Sequence, residues 1–257
     1  MKIGCCTSAR NYEILCGIGY DFIELSAQEM VMLSSNDINN LKQLMSLRKV
    51  PCIGFNDYSG GFPSFVGPNY DKKAVEAYAE KVCQIGSELG IQFIGIGSPI
   101  ARRLPANFDK ALADEQIREF LIVTSGIAAK YNINVLFEAV HEGLCNYINY
   151  TSEAFNLVNE LSISNLFLLV DLYHMEVMGE STEQLREIIQ WVKHIHISHR
   201  GEKNERLYLT MQDSKLCSNL INKLKAYGYS GTLSIEADTE SFSKDAQDSF
   251  NMLKPLI

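Results

Sequence analysis

Short apolar runs rich in β-branched residues alternate with longer amphipathic stretches along the whole chain. Eight of the short runs read as strands: 2–6 ("KIGCC"), 22–25 ("FIEL"), 50–55 ("VPCIGF"), 93–97 ("FIGIG"), 134–139 ("NVLFEA"), 166–171 ("LFLLVD"), 194–198 ("HIHIS") and 232–237 ("TLSIEA"). Most are nearly continuous apolar runs with little alternation, as expected of a parallel sheet covered on its outer face. Between them the periodicity changes to that of helices. The clearest helical stretch is 71–90, where Val75, Tyr78, Ala79, Val82 and Ile85 form one stripe and Gly90 offers a C-cap. Stretches 114–131, 151–162, 181–192, 213–228 and 241–256 follow the same pattern, with caps expected near Thr151 and at Ser181.

Eight strand–helix units in a chain of 257 residues match the size and count of a (β/α)8 TIM barrel. A doubly wound open sheet is the competing α/β arrangement. It would usually carry fewer strands and often a glycine-rich phosphate loop after the first one. Here "CCTSAR" follows the first strand, and "GIG" at 95–97 is a fragment of such a fingerprint. With no linker or composition shift, the expectation is one domain over 1–257. Two connections are long for such units, 56–70 and 98–109. Both follow strand C-terminal ends, the face that carries the active site in a barrel.

The last four strands depart from an apolar core in one respect. Each carries a polar residue near its C-terminal end: Glu138, Asp171, His196 and Glu236. In a barrel these four side chains converge on one volume. Three buried carboxylates would repel one another and be costly to desolvate, and a divalent cation removes that cost. Three oxygen donors and an imidazole suit Mn2+, Mg2+ or Co2+, with Zn2+ as the alternative. Four protein ligands leave two octahedral positions for adjacent oxygens of a substrate. Such chelation would polarise a carbonyl, acidify the neighbouring C–H and lead through a metal-bound enediolate. Glu138 and Glu236 come from non-adjacent strands and could flank the substrate as an acid/base pair.

Strand parity sorts the histidines. His194 and His196 share a face, about 6.6 Å apart along the strand. His196 lies nearer the active end. His194 is expected to be a core histidine one layer deeper, and His199 an exposed loop residue. His174 and His141 each follow a cluster carboxylate by three positions. Either could contact a substrate or serve as a helix cap. Arg102 and Arg103 follow the fourth strand, as anchors for a phosphate or carboxylate group or as a solvated loop pair.

Charge narrows the partners. Asp and Glu exceed Lys and Arg by 31 to 23, giving a net charge of −8, which opposes a nucleic-acid surface. No apolar run reaches the ~18 residues of a membrane span. The N-terminus reads as a strand without a cleavage site, and seven cysteines without a CxxC pair read as free buried thiols. A cytoplasmic location is expected; the sequence leaves a homo-oligomer open.

The motifs "GYDFIELS", "GSPIARRLP", "FEAV", "CNYINYTSEA", "DLYH", "HIH" and "IEAD" together make the chain resemble the xylose isomerase-like TIM barrels, specifically the sugar phosphate isomerase/epimerase group. That group includes ketose 3-epimerases, hydroxypyruvate isomerase-like enzymes and inosose dehydratases. The resemblance implies that Glu138 and Glu236 are metal ligands and the acid/base pair, and that Asp171 and His196 are ligands only. It implies that His174 binds a carbohydrate substrate and that an arginine after the seventh strand holds a substrate oxygen, Arg206 or else Arg200. The chain departs from the epimerases at His141, Leu144, His199 and Tyr208–Leu209, positions where they usually carry Asn, Glu, an acid and Pro-Gly. A dehydratase of a related polyol-derived ketone and a non-catalytic sugar-binding barrel are the alternatives. An endonuclease-IV-like DNA repair enzyme would need more than five histidines and a basic groove.

Overall fold

The computed structural model describes residues 1–257. Its strands are β1 (Lys2–Thr7), β2 (Phe22–Ser26), β3 (Cys52–Asn56), β4 (Phe93–Ile96), β5 (Asn134–Glu138), β6 (Leu166–Asp171), β7 (Val192–Ile197), β8 (His199–Arg200), β9 (Arg206–Leu207) and β10 (Thr232–Ile235). Eight of them close a barrel in the order β1-β10-β7-β6-β5-β4-β3-β2, with every neighbouring pair parallel. The fold is a TIM barrel. Strands β8 and β9 form a small antiparallel ribbon over the mouth, between β7 and α9.

The covering helices are α1 (Tyr12–Ile18), α2 (Ala27–Met32), α3 (Ser35–Arg48), α4 (Lys72–Leu89), α5 (Lys110–Lys130), α6 (Thr151–Leu161), α7 (Leu172–Val177), α8 (Leu185–Ile188), α9 (Ser214–Ala226) and α10 (Phe242–Leu253). Local chemistry sets their ends. Asp71 and Asp109 accept backbone N–H bonds at the starts of α4 and α5, and Gly90 closes α4 at φ 78°. Two expectations need correction, and three helices were not foreseen. The helix expected over 181–192 is broken into α8 and flanking 3-10 turns, and Val192 already pairs with Leu168 in the sheet. At α6 the cap is Glu153, whose carboxylate accepts from the N–H groups of Asn149 at 2.7 Å and Tyr150 at 3.0 Å. The hydroxyl and N–H of Thr151 bond Glu180 instead. Finally, α1 to α3 carried no legible stripe; α3 buries only Ile38, Leu41 and Met45.

Apolar packing divides into two layers. One cluster of 63 residues fills the space between strands and helices. Inside the barrel, Phe22, Ile53, Phe93, Leu136 and Leu169 form a separate plug. Gly4 and Gly54 make room for it, since a Cβ at either would run into the ring of Phe22 or Phe93. The two long loops fold onto each other: Phe65 N–H donates to Ala101 O at 2.7 Å, and Ser59 N–H to Ser98 Oγ at 3.0 Å. Phe65 stacks on Phe120 of α5, with centroids 3.8 Å apart. No helix is long and apolar enough to cross a membrane.

Candidate metal centre

Above the apolar plug, the barrel interior turns polar. Glu138, Asp171 and His196 occupy the C-terminal ends of β5, β6 and β7, and Glu236 follows β10 directly. One ligand atom from each of the four lies within 4.8 Å of the others. Glu138, Asp171 and His196 are buried, and the Glu236 side chain is one-quarter exposed. The set comprises three carboxylates and one imidazole on adjacent strands, a donor chemistry matched to a divalent ion.

Two buried atoms in the cluster are left without hydrogen bonds. They are Glu138 Oε1 and His196 Nδ1. Nδ1 lies 2.7 Å from Glu236 Oε2, but without hydrogen-bond geometry. Buried polar atoms are normally satisfied, so two orphans in one cluster fit residues arranged for a cation.

The charge environment pushes the carboxyls apart. Burial, with the charges of Asp171 and Glu236, raises Glu138 to about 8. Burial opposes ionisation of Glu236 too, but Arg206 and His196 outweigh it and hold that carboxyl well below the usual range. Asp171 is likewise held low against its burial, by Arg206 and His174. Its Oδ1 also accepts the N–H of Tyr173 at 2.8 Å, so it caps α7 and faces the cluster at once.

Arg206 comes from β9. Its guanidinium pairs with Asp171 and lies 2.5 Å from Glu236 Oε2, while Nε donates to Glu236 O at 2.6 Å. Arg200 instead bonds Glu176 O and Asn204 Oδ1, outside the cluster. His174 sits in the first turn of α7. Its Nε2 is 3.8 Å from both Glu138 Oε1 and Asp171 Oδ2, and burial lowers it to about 4. His141 is buried beside it, with ring centroids 5.1 Å apart, and accepts the Gly143 N–H.

Several placements differ from expectation. Arg102 is fully buried, donating to Glu138 O at 2.6 Å and standing over the Phe137 ring. It is neither a solvated residue nor open to solvent as an anion anchor; it braces the strand end that carries Glu138. Arg103 is bonded to Leu144 O. His199 has the expected exposure, 41% at the side chain, but it stands in β8 and not in a loop, with Nδ1 2.7 Å from Asp213 Oδ1. His194 is fully buried, as a core histidine should be, with Nδ1 2.7 Å from Thr232 Oγ1.

Two polar residues near the cluster escaped the sequence reading. Asn56 Nδ2 donates to Glu236 Oε1 at 3.1 Å. Glu24 of β2 is fully buried and lies 3.2 Å from His196 Nε2. A lone acid inside the apolar run "FIEL" was the available signal. A cavity of about 970 Å³ lies outside the barrel between α7 and α9 and touches none of the four cluster residues. Its size does not outweigh the convergence of donors at the mouth.

Comparison with known proteins agrees with this architecture. The xylose isomerase-like TIM barrel family model matches residues 14–256. The chain belongs to that family. It is 28% identical over 244 residues to an L-ribulose 3-epimerase of Methylomonas sp. (strain DH-1), covering 90% of this chain and 77% of that protein. It is 23% identical over 176 residues to an inosose isomerase of Bacillus velezensis, covering 66% of this chain and 59% of that protein. The match thus spans less than two thirds of the isomerase's length. A crystal structure of IOLI protein with a bound zinc atom superposes with a TM-score of 0.77 at 17% identity, over 100% of this chain and 98% of the other.

Proposed function

We propose that this protein is a divalent-metal-dependent epimerase or isomerase acting on a ketose. The observation that carries the reading is the convergence of Glu138, Asp171, His196 and Glu236, with an unsatisfied oxygen and an unsatisfied ring nitrogen among them. The names of the two relatives, an L-ribulose 3-epimerase and an inosose isomerase, support the reaction class. The zinc in a structural neighbour supports a metal in a barrel of this shape.

Glu138, Asp171, His196 and Glu236 would hold the ion. When bound, it supplies Lewis-acid polarisation of the substrate carbonyl and lowers the cost of removing the adjacent proton. Mn2+, Mg2+ and Co2+ suit the oxygen-rich donor set, and Zn2+ is accommodated. The remaining chemistry belongs to side chains. Glu138 and Glu236 stand on β5 and after β10, separated by β6 and β7, so they address a substrate from two sides. One takes the proton from carbon and the other returns it, which inverts that centre. Return to the neighbouring carbon would interconvert ketose and aldose. Arg206 and His174 are donors at the same place, positioned to bind substrate oxygens as the charge on them grows. His141, packed on His174, shapes the wall beside them.

The test is solvent exchange. Metal-loaded protein incubated with a panel of ketopentoses and ketohexoses in D2O should incorporate deuterium at the carbon next to the carbonyl, and Glu138→Gln should abolish it. Absence of exchange with every sugar and every divalent ion would refute the proposal.

A further inference from the structure

Glu24 is the one carboxylate that lies wholly inside the barrel without belonging to the four-residue cluster. Its strand, β2, is separated from β7 by β1 and β10, so the side chain reaches across the interior. Small neighbours in register, Cys6 and Gly54, leave room for it. Its two oxygens face two histidines of the same strand. Oε2 is 3.2 Å from His196 Nε2 in hydrogen-bond geometry, and Oε1 is 2.7 Å from His194 Nε2. His194 is in turn held through Nδ1 by Thr232 Oγ1 at 2.7 Å.

A buried carboxylate is expensive unless paired, and this one has only these imidazoles and the Cys6 thiol around it. Set between two imidazole nitrogens at 3.2 and 2.7 Å, it is placed to accept from them as a carboxylate. An ionised carboxylate accepts and never donates. The proton between Glu24 and His196 therefore sits on Nε2. With Nε2 committed to that bond, Nδ1 is the ring nitrogen left to offer a lone pair to a metal ion. Nδ1 is the nitrogen that faces Glu236 and has no hydrogen bond.

We propose that Glu24 is a positioning residue: it fixes the tautomer and ring orientation of His196 so that Nδ1 presents its lone pair to the metal centre. The inference rests on the metal reading above and adds to it a residue that touches neither ion nor substrate. It also excludes a competing use of the same atoms. Cys6 Sγ lies 3.6 Å from His196 Nε2, and Cys6, Glu24 and His196 could form a second ion site. That site needs a lone pair on Nε2, whereas Glu24 keeps a proton there.

The experiment compares wild type, Glu24→Gln and Glu24→Asp by calorimetric titration with Mn2+ and by 15N NMR of histidine-labelled protein, with and without Zn2+. Wild type should bind one ion per chain and show His196 Nε2 protonated in both states. Glu24→Gln should weaken binding roughly 10–100-fold and remove the preference for the Nε2 proton. Glu24→Asp keeps the charge and should fall between them. Melting curves of the metal-free variants separate folding from binding. If Glu24→Gln lowers only the melting temperature, with affinity and tautomer unchanged, Glu24 is merely structural and the proposal fails. An unprotonated Nε2 in wild type, or two ions per chain with thiolate absorbance in Cd2+, also overturns it. If wild type binds no divalent ion, the metal reading fails instead, and the NMR of metal-free protein still reports whether Glu24 sets the tautomer.

Discussion

Without a metal, the cation nearest the cluster carboxylates is Arg206, and replacing it by methionine makes a quantitative case. The guanidinium pairs with Asp171 and with Glu236 at 2.5 Å, and Nε donates to the Glu236 carbonyl. Methionine keeps much of the apolar stem but leaves both carboxylates without that partner. Breaking a buried ion pair costs about 3–5 kcal/mol, because the remaining charge stays desolvated. The Glu236 side chain is 25% exposed and that of Arg206 17%, so water screens part of the loss and the lower figure, about 3 kcal/mol, applies. For 257 residues the unfolding entropy is about 0.54 kcal/mol/K at 2.1 cal/mol/K per residue, so the melting temperature should fall by about 6 °C. A bound divalent ion would neutralise the same carboxylates. Thermal melts in EDTA and in saturating Mn2+ should therefore show a large loss in the first and a much smaller one in the second. Equal losses in both, or none in EDTA, would refute the view that Arg206 and a metal balance the same charges.

Other consequences follow from the same geometry. His174 has a pKa near 4 in the folded chain, against 6.5 for an unperturbed histidine. Between those values the unfolded state binds the proton and the folded state does not, so this residue's contribution is intact above pH 6.5 and fades toward pH 4. The loss is at most about 3 kcal/mol, and urea melts of the metal-free protein should show a shallower slope in that window for His174→Gln. A Cβ at Gly97 would press on Glu138 Oε2. Gly97→Ala should thus weaken Mn2+ binding in calorimetry while circular dichroism stays unchanged; unchanged affinity would contradict this placement. Phe120 is fully buried and stacks on Phe65. Phe120→Ala should cost about 3–5 kcal/mol in chemical denaturation and expose the loop after β3 to proteolysis. A cost under ~1 kcal/mol would show that the stack does not hold that loop.

The barrel was legible because its strands are short, apolar and evenly interrupted by amphipathic helices such as α4. The strand-end positions of Glu138, Asp171, His196 and Glu236 were legible from parity and from their departure from an apolar core. What periodicity could not show were elements with weak stripes. Helix α3 buries three side chains in fourteen residues, and α8 is a single turn between 3-10 segments. Residues whose partners are distant in sequence were also hidden. Arg102 read as an anion anchor or as half of a solvated pair, yet it is buried against Glu138, 36 positions away. Glu24 meets His196 across 172 positions, and no local pattern marks such a contact.

The central claim is that Glu138, Asp171, His196 and Glu236 form one divalent-metal site at the mouth of the barrel. Anomalous diffraction from crystals soaked in Mn2+ tests it most directly. The account predicts one strong peak per chain, about 2.0–2.3 Å from a carboxylate oxygen of each acid and from Nδ1 of His196. A peak bound through Nε2, a peak elsewhere, or none at all would contradict it.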